Sequence, residues 1–254
     1  MADEVLTEVR GQTLLITLNR PDAMNAVNKA LSEQLAAAMD RLDSDPALSV
    51  GVLTGNGRGF SAGMDLKEFV TDGITVLPGR GFGGITERSC DKPLLAAIEG
   101  FALAGGLELA MSCDILIAAN NAKFGIPEAG VGLFAAAGAL MRLPRALPYG
   151  LAMKMALTAR PISAEVAHQY GLVTDLTEPG EAVSAALALA EQIAKNSPLG
   201  VKASKALIRE SQGRTEAEYW QYQTDEHMPV FKSADAIEGP TAFAEKRPPK
   251  WQGK

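Results

Sequence analysis

Glu108 stands in the run Ala104-Gly105-Gly106-Leu107-Glu108-Leu109-Ala110-Met111, among apolar neighbours and with no polar stripe to join. A helix through this segment is apolar on all sides, so a carboxylate within it loses solvation and needs a hydrogen-bonding partner or a raised pKa. Either outcome suits proton transfer. Glu128 repeats the pattern: it is the only charged side chain between Lys123 and Arg142, and it follows Pro127, whose ring restricts the entering backbone. A pair of such carboxylates is what addition of water across an activated double bond requires. One orients and deprotonates the water, and the other delivers a proton to carbon. A plainer reading of Glu108, as a helix-end glutamate reaching solvent, stays open at this point.

That chemistry develops negative charge on oxygen, and the chain offers two sets of backbone donors for it. Gly105-Gly106 at a helix start presents unpaired amides at the positive end of the helix dipole. The loop from Gly55 through Gly57, Gly59, Phe60, Ser61, Ala62 and Gly63 to Leu66 can turn amides inward, with Ala62 as the expected donor. Each motif alone is equally an ordinary tight turn.

The elements that must position these groups follow from periodicity. Residues 5–9 and 13–18 read as a strand pair around Gly11, closed by Asn19-Arg20-Pro21. Asn28 caps a helix whose Leu31, Leu35, Ala38, Met39 and Leu42 recur at helical spacing, and 50–54 is a short apolar strand. Strands at 94–98 and 114–119 enclose a helix at 105–112, which favours a layered α/β core with parallel pairing. Beyond Tyr149 the patterns are mostly helical, at 151–157, 164–170, 182–194, 199–210 and 216–228. We therefore expect a core over residues 1–190 and a helical region over 191–254. The weakly charged stretch 124–141 holds Pro127, Glu128 and four glycines, making it a poor membrane span and an expected piece of buried core.

Composition narrows the function classes. The 254 residues carry a net charge of −6 with 47% hydrophobic and 21% charged content, ordinary for a globular chain and unsuited to general nucleic-acid binding. Cys90 and Cys113 form no framework and are expected as small buried thiols, while His168 and His227 lack metal-ligand spacing, so no metal site is expected. The acidic N-terminal MADEVLTEVR has no layout of a signal or transit peptide, and a cytoplasmic location is expected.

Taken together the motifs resemble the enoyl-CoA hydratase (crotonase) family over about residues 14–251. The matching pieces are Asn19-Arg20-Pro21 with Asn25-Ala26, Phe60-Ser61-Ala62-Gly63-Met64-Asp65-Leu66, Gly100 through Ala110, and Phe124-Gly125-Ile126-Pro127-Glu128. Glu238-Gly239 followed by Ala242-Phe243-Ala244-Glu245-Lys246-Arg247 resembles the family's C-terminal signature. The resemblance implies a spiral α/β core of strand-strand-helix turns, a C-terminal helical trimerisation region, and a trimer or dimer of trimers. It implies an acyl-CoA thioester as substrate, with coenzyme A part of that substrate and no separate cofactor, nucleic acid or membrane partner. The amides of Ala62 and Gly105 would form the oxyanion hole, and Glu108 and Glu128 would hold the water, with Glu128 the proton donor to the α-carbon. Met24, Gly63, Met64, Asp65 and Leu66 would contact substrate, and Phe243 and Lys246 would approach it from a neighbouring subunit.

One departure concerns the acyl pocket. Where many hydratases end a Gly-rich run in Gly-Gly-Thr-Gln-Arg-Leu, this chain has Leu133-Phe134-Ala135-Ala136-Ala137-Gly138-Ala139-Leu140-Met141-Arg142-Leu143. The segment Arg142-Leu143-Pro144-Arg145-Ala146-Leu147-Pro148 resembles a branch with carnitinyl-CoA dehydratase-like members, and double-bond isomerisation is a further in-family alternative. From other classes, Gly79-Arg80-Gly81-Phe82-Gly83-Gly84 meets the spacing of a dinucleotide-binding turn, but Pro78 precedes it and residues 85–89 are too short for the phosphate-facing helix before Pro93. Ser61 as a nucleophile has no histidine nearby in sequence, and a non-catalytic acyl-CoA binder would have no use for both glutamates.

Overall fold

The computed structural model describes residues 3–88 and 90–254. It begins with a hairpin in which β1 (Val5–Arg10) and β2 (Thr13–Leu18) pair antiparallel. α1 (Lys29–Ser44) starts at Asn28, whose side chain accepts the Leu31 amide at 2.8 Å, and buries Leu31, Leu35, Met39 and Leu42. β3 (Val50–Gly55), α2 (Leu66–Asp72) and the short strands β4 (Val76–Leu77) and β5 (Gly81–Phe82) follow. The chain then makes two rounds of the same motif. The first is β6 (Leu94–Ile98), β7 (Phe101–Leu103) and α3 (Gly105–Ala110); the second is β8 (Ile115–Ala119), β9 (Lys123–Gly125), a 3-10 turn (Pro127–Val131) and α4 (Ala139–Ala146). α5 (Tyr149–Thr158), β10 (Ile162–Ser163), α6 (Ala164–Gln169), β11 (Asp175–Thr177) and α7 (Ala182–Ala194) complete this part.

The first strand of each round enters a six-stranded sheet, β1-β2-β3-β6-β8-β11, and the second enters a three-stranded sheet, β10-β9-β7. Within the six-stranded sheet every pairing from β2 onward is parallel, as the sequence led us to expect, while β9 and β10 pair antiparallel in the smaller sheet. Because successive side chains point to opposite faces, each central strand feeds two cores. Ile16, Leu53, Leu94, Ala96 and Ile98 pack between the sheets with Phe60 and Leu107. Leu15, Val50, Val52, Leu95 and Ile117 face the other way, where Ala182, Ala186 and Ala190 of α7 lie one helical turn apart on the strands. Burial on both faces explains why these strands read as unbroken apolar runs. Each fully buried Leu or Val contributes about 1.5–3 kcal/mol relative to exposure.

After α7, inside which residue 190 falls, come α8 (Pro198–Glu210), α9 (Glu216–Tyr222), a π-helical turn (Gln223–His227), a 3-10 turn (Met228–Lys232) and α10 (Ala234–Ala244). The helix expected over 216–228 therefore stops being α-helical at Tyr222. The helical path continues as a π turn, and Pro229, which has no amide to donate and whose ring clashes with the carbonyl four residues back, ends that turn where the 3-10 turn begins. The expectation of buried core over 124–141 is also corrected. Phe124 and Ile126 are buried, but Ala129 to Gly132 are exposed and Phe134 is 70% exposed. The glycines and Pro127 make this segment a surface loop linking the 3-10 turn to α4. Cys90 and Cys113 are free and buried, as expected. No described helix is long and apolar enough to cross a membrane.

Candidate active site

The turn from β7 into α3 is strained. Ala104, the N-cap of α3, has φ of 51° and ψ of −133°, a region that costs a residue with a side chain on the order of 1–3 kcal/mol. Its own amide donates to the Gly125 carbonyl at 2.9 Å, and its carbonyl accepts the Leu107 amide at 2.9 Å. This conformation starts α3 abruptly and leaves the Gly105 amide without an acceptor among the described residues.

The loop after β3 is drawn against that turn. Ser61 bridges Ala102 in parallel, and a side-chain carbon added at Gly106 would sit 2.3 Å from the Ser61 carbonyl oxygen. One added at Gly63, whose φ is 100°, would sit 2.6 Å from the Ala104 Cβ and 2.8 Å from the Gly105 nitrogen. Only glycine permits this approach. On the loop's other side, the Val27 amide donates to the Gly63 carbonyl at 2.7 Å and the Asp65 amide to the Val27 carbonyl at 2.9 Å. The Met64 amide between them faces away from Val27, towards the side where Gly105 lies, and has no acceptor among the described residues.

Two expectations about this loop are corrected. The Ala62 amide donates to the Met24 carbonyl at 3.0 Å, so it is spent on the scaffold, and the free amide lies two residues further on, at Met64. Asp65 was expected to contact substrate, but both carboxylate oxygens are engaged within the chain. Oδ2 accepts from Arg20 Nη1 at 3.0 Å, and Oδ1 caps α2 by accepting the Lys67 and Glu68 amides at 3.1 and 3.4 Å. Arg20 and the capping amides hold this carboxyl below the usual range against the opposing effect of burial. Ser61 is likewise structural: its hydroxyl donates to the Asn25 carbonyl at 2.8 Å and accepts the Gly63 amide at 3.1 Å.

Glu108 lies on α3, one turn beyond Gly105, and is 3% exposed. The reading of a glutamate reaching solvent is therefore excluded. Its Oε1 accepts the Ala137 amide at 2.7 Å and the Ala139 amide at 3.0 Å, both from the start of α4. Burial, with the charge of Glu128 adding to it, pushes this carboxyl up to about 7 against the downward pull of the two amides and the nearby Arg142 guanidinium. Glu128, in the 3-10 turn between β9 and α4, is half-buried. Burial raises its carboxyl too, against a lowering from its own amide. Its Oε2 is buried and has no hydrogen-bond partner among the described residues, a costly state for a carboxylate unless a ligand, water or proton satisfies it.

The remaining candidates are more peripheral. Met24, with φ of 54°, and Leu66 at the start of α2 are exposed apolar side chains flanking the loop. Phe243 on α10 is 87% exposed, almost wholly outside its own chain's packing, and Lys246 just beyond is exposed with φ of 54°. The glycine-rich 79–84 segment forms the turn and second strand of the β4–β5 hairpin, and β6 is the next regular element, so the phosphate-facing helix of a dinucleotide fold is absent among the described residues.

Sequence reasoning missed several supporting residues. Asn25 is fully buried with φ of 54°, and its Nδ2 donates to the Asn56, Gly59 and Phe60 carbonyls at 2.9, 3.0 and 3.1 Å. It is the brace that shapes the loop; the Asn25-Ala26 piece of the family resemblance contains it but gives it no role. The Ala137 and Ala139 amides carried no sequence signal.

The sequence profile of the Enoyl-CoA hydratase/isomerase family matches residues 8–254. Enoyl-CoA hydratase EchA19 of Mycobacterium tuberculosis is 42% identical, covering 99% of this chain and 97% of that protein. Carnitinyl-CoA dehydratase of Salmonella typhi is 38% identical over the full length of both. Among solved structures, an enoyl-CoA hydratase from Mycobacterium tuberculosis H37Rv superimposes with a TM-score of 0.97 at 52% identity, covering 100% of both chains. A carnitinyl-CoA hydratase from Mycobacterium avium does so with a TM-score of 0.79 at 41% identity, again over 100% of both. With the profile spanning nearly the whole length and the same fold found at over half identity, the chain belongs to the enoyl-CoA hydratase/isomerase (crotonase) family.

Proposed function

We propose that this chain adds water reversibly across the 2,3 double bond of an enoyl-CoA thioester. The observation that carries the reading is the pairing of a buried and a half-buried carboxyl with unlike environments. Glu108 is fixed through one oxygen by two amides, and Glu128 presents a buried oxygen with no partner. The thioester oxygen accepts hydrogen bonds from the Met64 and Gly105 amides, which draws electron density from the β-carbon. Water attacks that carbon and gives its proton to ionised Glu108, while neutral Glu128 delivers a proton to the α-carbon. One water is added, and the two glutamates exchange protonation states. Removing one such oxyanion donor in other enzymes costs on the order of a hundred- to a thousandfold in rate, so the amide pair supplies several kcal/mol.

A second reading within the same chemistry is dehydration of a carnitinyl-CoA-like substrate. The Arg142 to Pro148 segment and the full-length similarity to carnitinyl-CoA dehydratase support it. Isomerisation needs only one of the two acids. A panel of enoyl-CoA, hydroxyacyl-CoA and carnitinyl-CoA thioesters, followed by mass for gain or loss of one water, separates these. Products isomeric with the substrate and containing no added water would overturn the hydratase reading. Phe243 and Lys246 are assigned to the coenzyme A of a neighbouring subunit's substrate.

A further inference from the structure

Arg142 is a half-buried cation on α4 with no carboxylate at ion-pair distance among the described residues. Its Nη1 donates to the Ala137 carbonyl at 3.2 Å and its Nη2 to the Thr86 carbonyl at 2.5 Å. Ala137 is one of the two residues whose amides grip Glu108. Arg142 thus ties the peptide units holding Glu108 to the 81–88 segment, which comes from a different part of the chain. That segment also abuts the oxyanion turn, since the Phe82 ring lies 2.5 Å from where a Gly105 side-chain carbon would sit.

A guanidinium held half out of water and bonded only to neutral carbonyls gives up part of its solvation without the return of an ion pair. An apolar side chain would fill the space without that cost, so the charge calls for a role. We propose that Arg142 is a positioning residue for Glu108, fixing the loop that grips it and setting a positive charge beside it so that the carboxylate is ionised when water is to be activated. This rests on the reading of Glu108 as the base.

The electrostatics agree in sign. Arg142 lowers the Glu108 carboxyl and Glu108 raises the Arg142 guanidinium, while burial opposes ionisation of both. The other charges facing this pair are Glu128 from the 3-10 turn, Arg145 on α4 and Arg209 on α8, while the nearby Cys113 thiol is kept neutral by burial. Arg145 Nη1 donates to Gln212 Oε1 at 3.2 Å, and Arg209 is 3.5 Å from Asp114. Neither bonds to the peptide units that hold Glu108.

The test compares Arg142→Gln, which keeps a donor for the carbonyls without charge, with Arg142→Lys, which keeps the charge. The pH profile of kcat/KM is measured on crotonyl-CoA, alongside thermal melting. In the Gln variant we expect the acid limb to move to higher pH by about half a unit or more, so that activity at pH 6 falls roughly threefold further than at pH 8. In the Lys variant the limb stays at its wild-type position while kcat drops. An unmoved limb in Arg142→Gln, an equal displacement in Arg142→Lys, or loss of the fold in the Gln variant would each overturn the assignment in favour of a purely structural brace. Absence of hydration in the wild-type protein would instead defeat the functional reading itself.

Discussion

At the scale of single residues, Glu108 shows a cost of the site that stability measurements can detect. A carboxyl raised to about 7 from an ordinary 4.5 binds a proton in the folded state that the unfolded chain has already released. Its contribution to stability is full below about pH 4.5 and is lost as pH rises through 7, so the folded state is penalised at alkaline pH. The difference amounts to on the order of 3 kcal/mol. Gln in its place can still accept the Ala137 and Ala139 amides but carries no charge. Glu108→Gln is therefore expected to melt near wild type at pH 5 and distinctly higher at pH 8, with activity lost. Equal melting temperatures for variant and wild type at both pH values would show that Glu108 is not held in a desolvated site. Both glutamates are legible from sequence because each is a lone charge in an apolar stretch. Arg142 is not, because its partners are backbone carbonyls, one of them 56 residues away, that no side-chain pattern encodes.

At the scale of elements, the site is an encounter between two backbone segments, the 61–65 loop and the start of α3. Gly63 sets their separation. Gly63→Ala would place a methyl against the Ala104 Cβ and the Gly105 nitrogen at a φ of 100°, pushing the Met64 and Gly105 amides apart. A kcat lower by on the order of a hundredfold is expected, with a stability loss of about 1–3 kcal/mol. A kcat within about threefold of wild type would mean that these two amides do not act together. The donor pair also marks where sequence reasoning stops. The motif led to Ala62, and only the pairing of the loop with Val27 and Met24 shows that the amide left free is that of Met64. Strands β2, β3, β6 and β8 are legible, since burial on both faces leaves them as largely apolar runs of five or six residues, whereas the three-residue strands β7, β9 and β11 are too short to show a pattern. The exposed 129–134 loop is misread for a related reason: its apolar side chains look like core, although Gly130, Gly132 and the 3-10 turn keep it at the surface.

At the scale of the whole molecule, large apolar side chains stay uncovered along the helical C-terminal region, among them Ile208, Phe231, Ile237 and Phe243. Exposed apolar surface of this kind marks interaction faces. Association into trimers or their dimers is the expectation from family resemblance, and sedimentation at micromolar concentration checks it. If Phe243 reaches a neighbour's substrate, Phe243→Ala should raise KM for the CoA thioester several-fold and change kcat little. A monomeric protein whose KM is indifferent to that substitution would contradict the proposed reach. The division between core and helical region expected near residue 190 falls inside α7, whose alanines lie on the sheet, because a helix that packs flat on strands has the same small-residue pattern as one that packs on other helices.

The most direct measurement is single-turnover hydration of crotonyl-CoA by wild type and Glu128→Gln, with thioester binding followed in parallel. Wild type should gain one water per substrate, and the variant should bind the thioester comparably while hydrating it at least about a hundredfold more slowly. Hydration at the wild-type rate in Glu128→Gln would contradict the central claim that a proton passes from this carboxyl to the α-carbon.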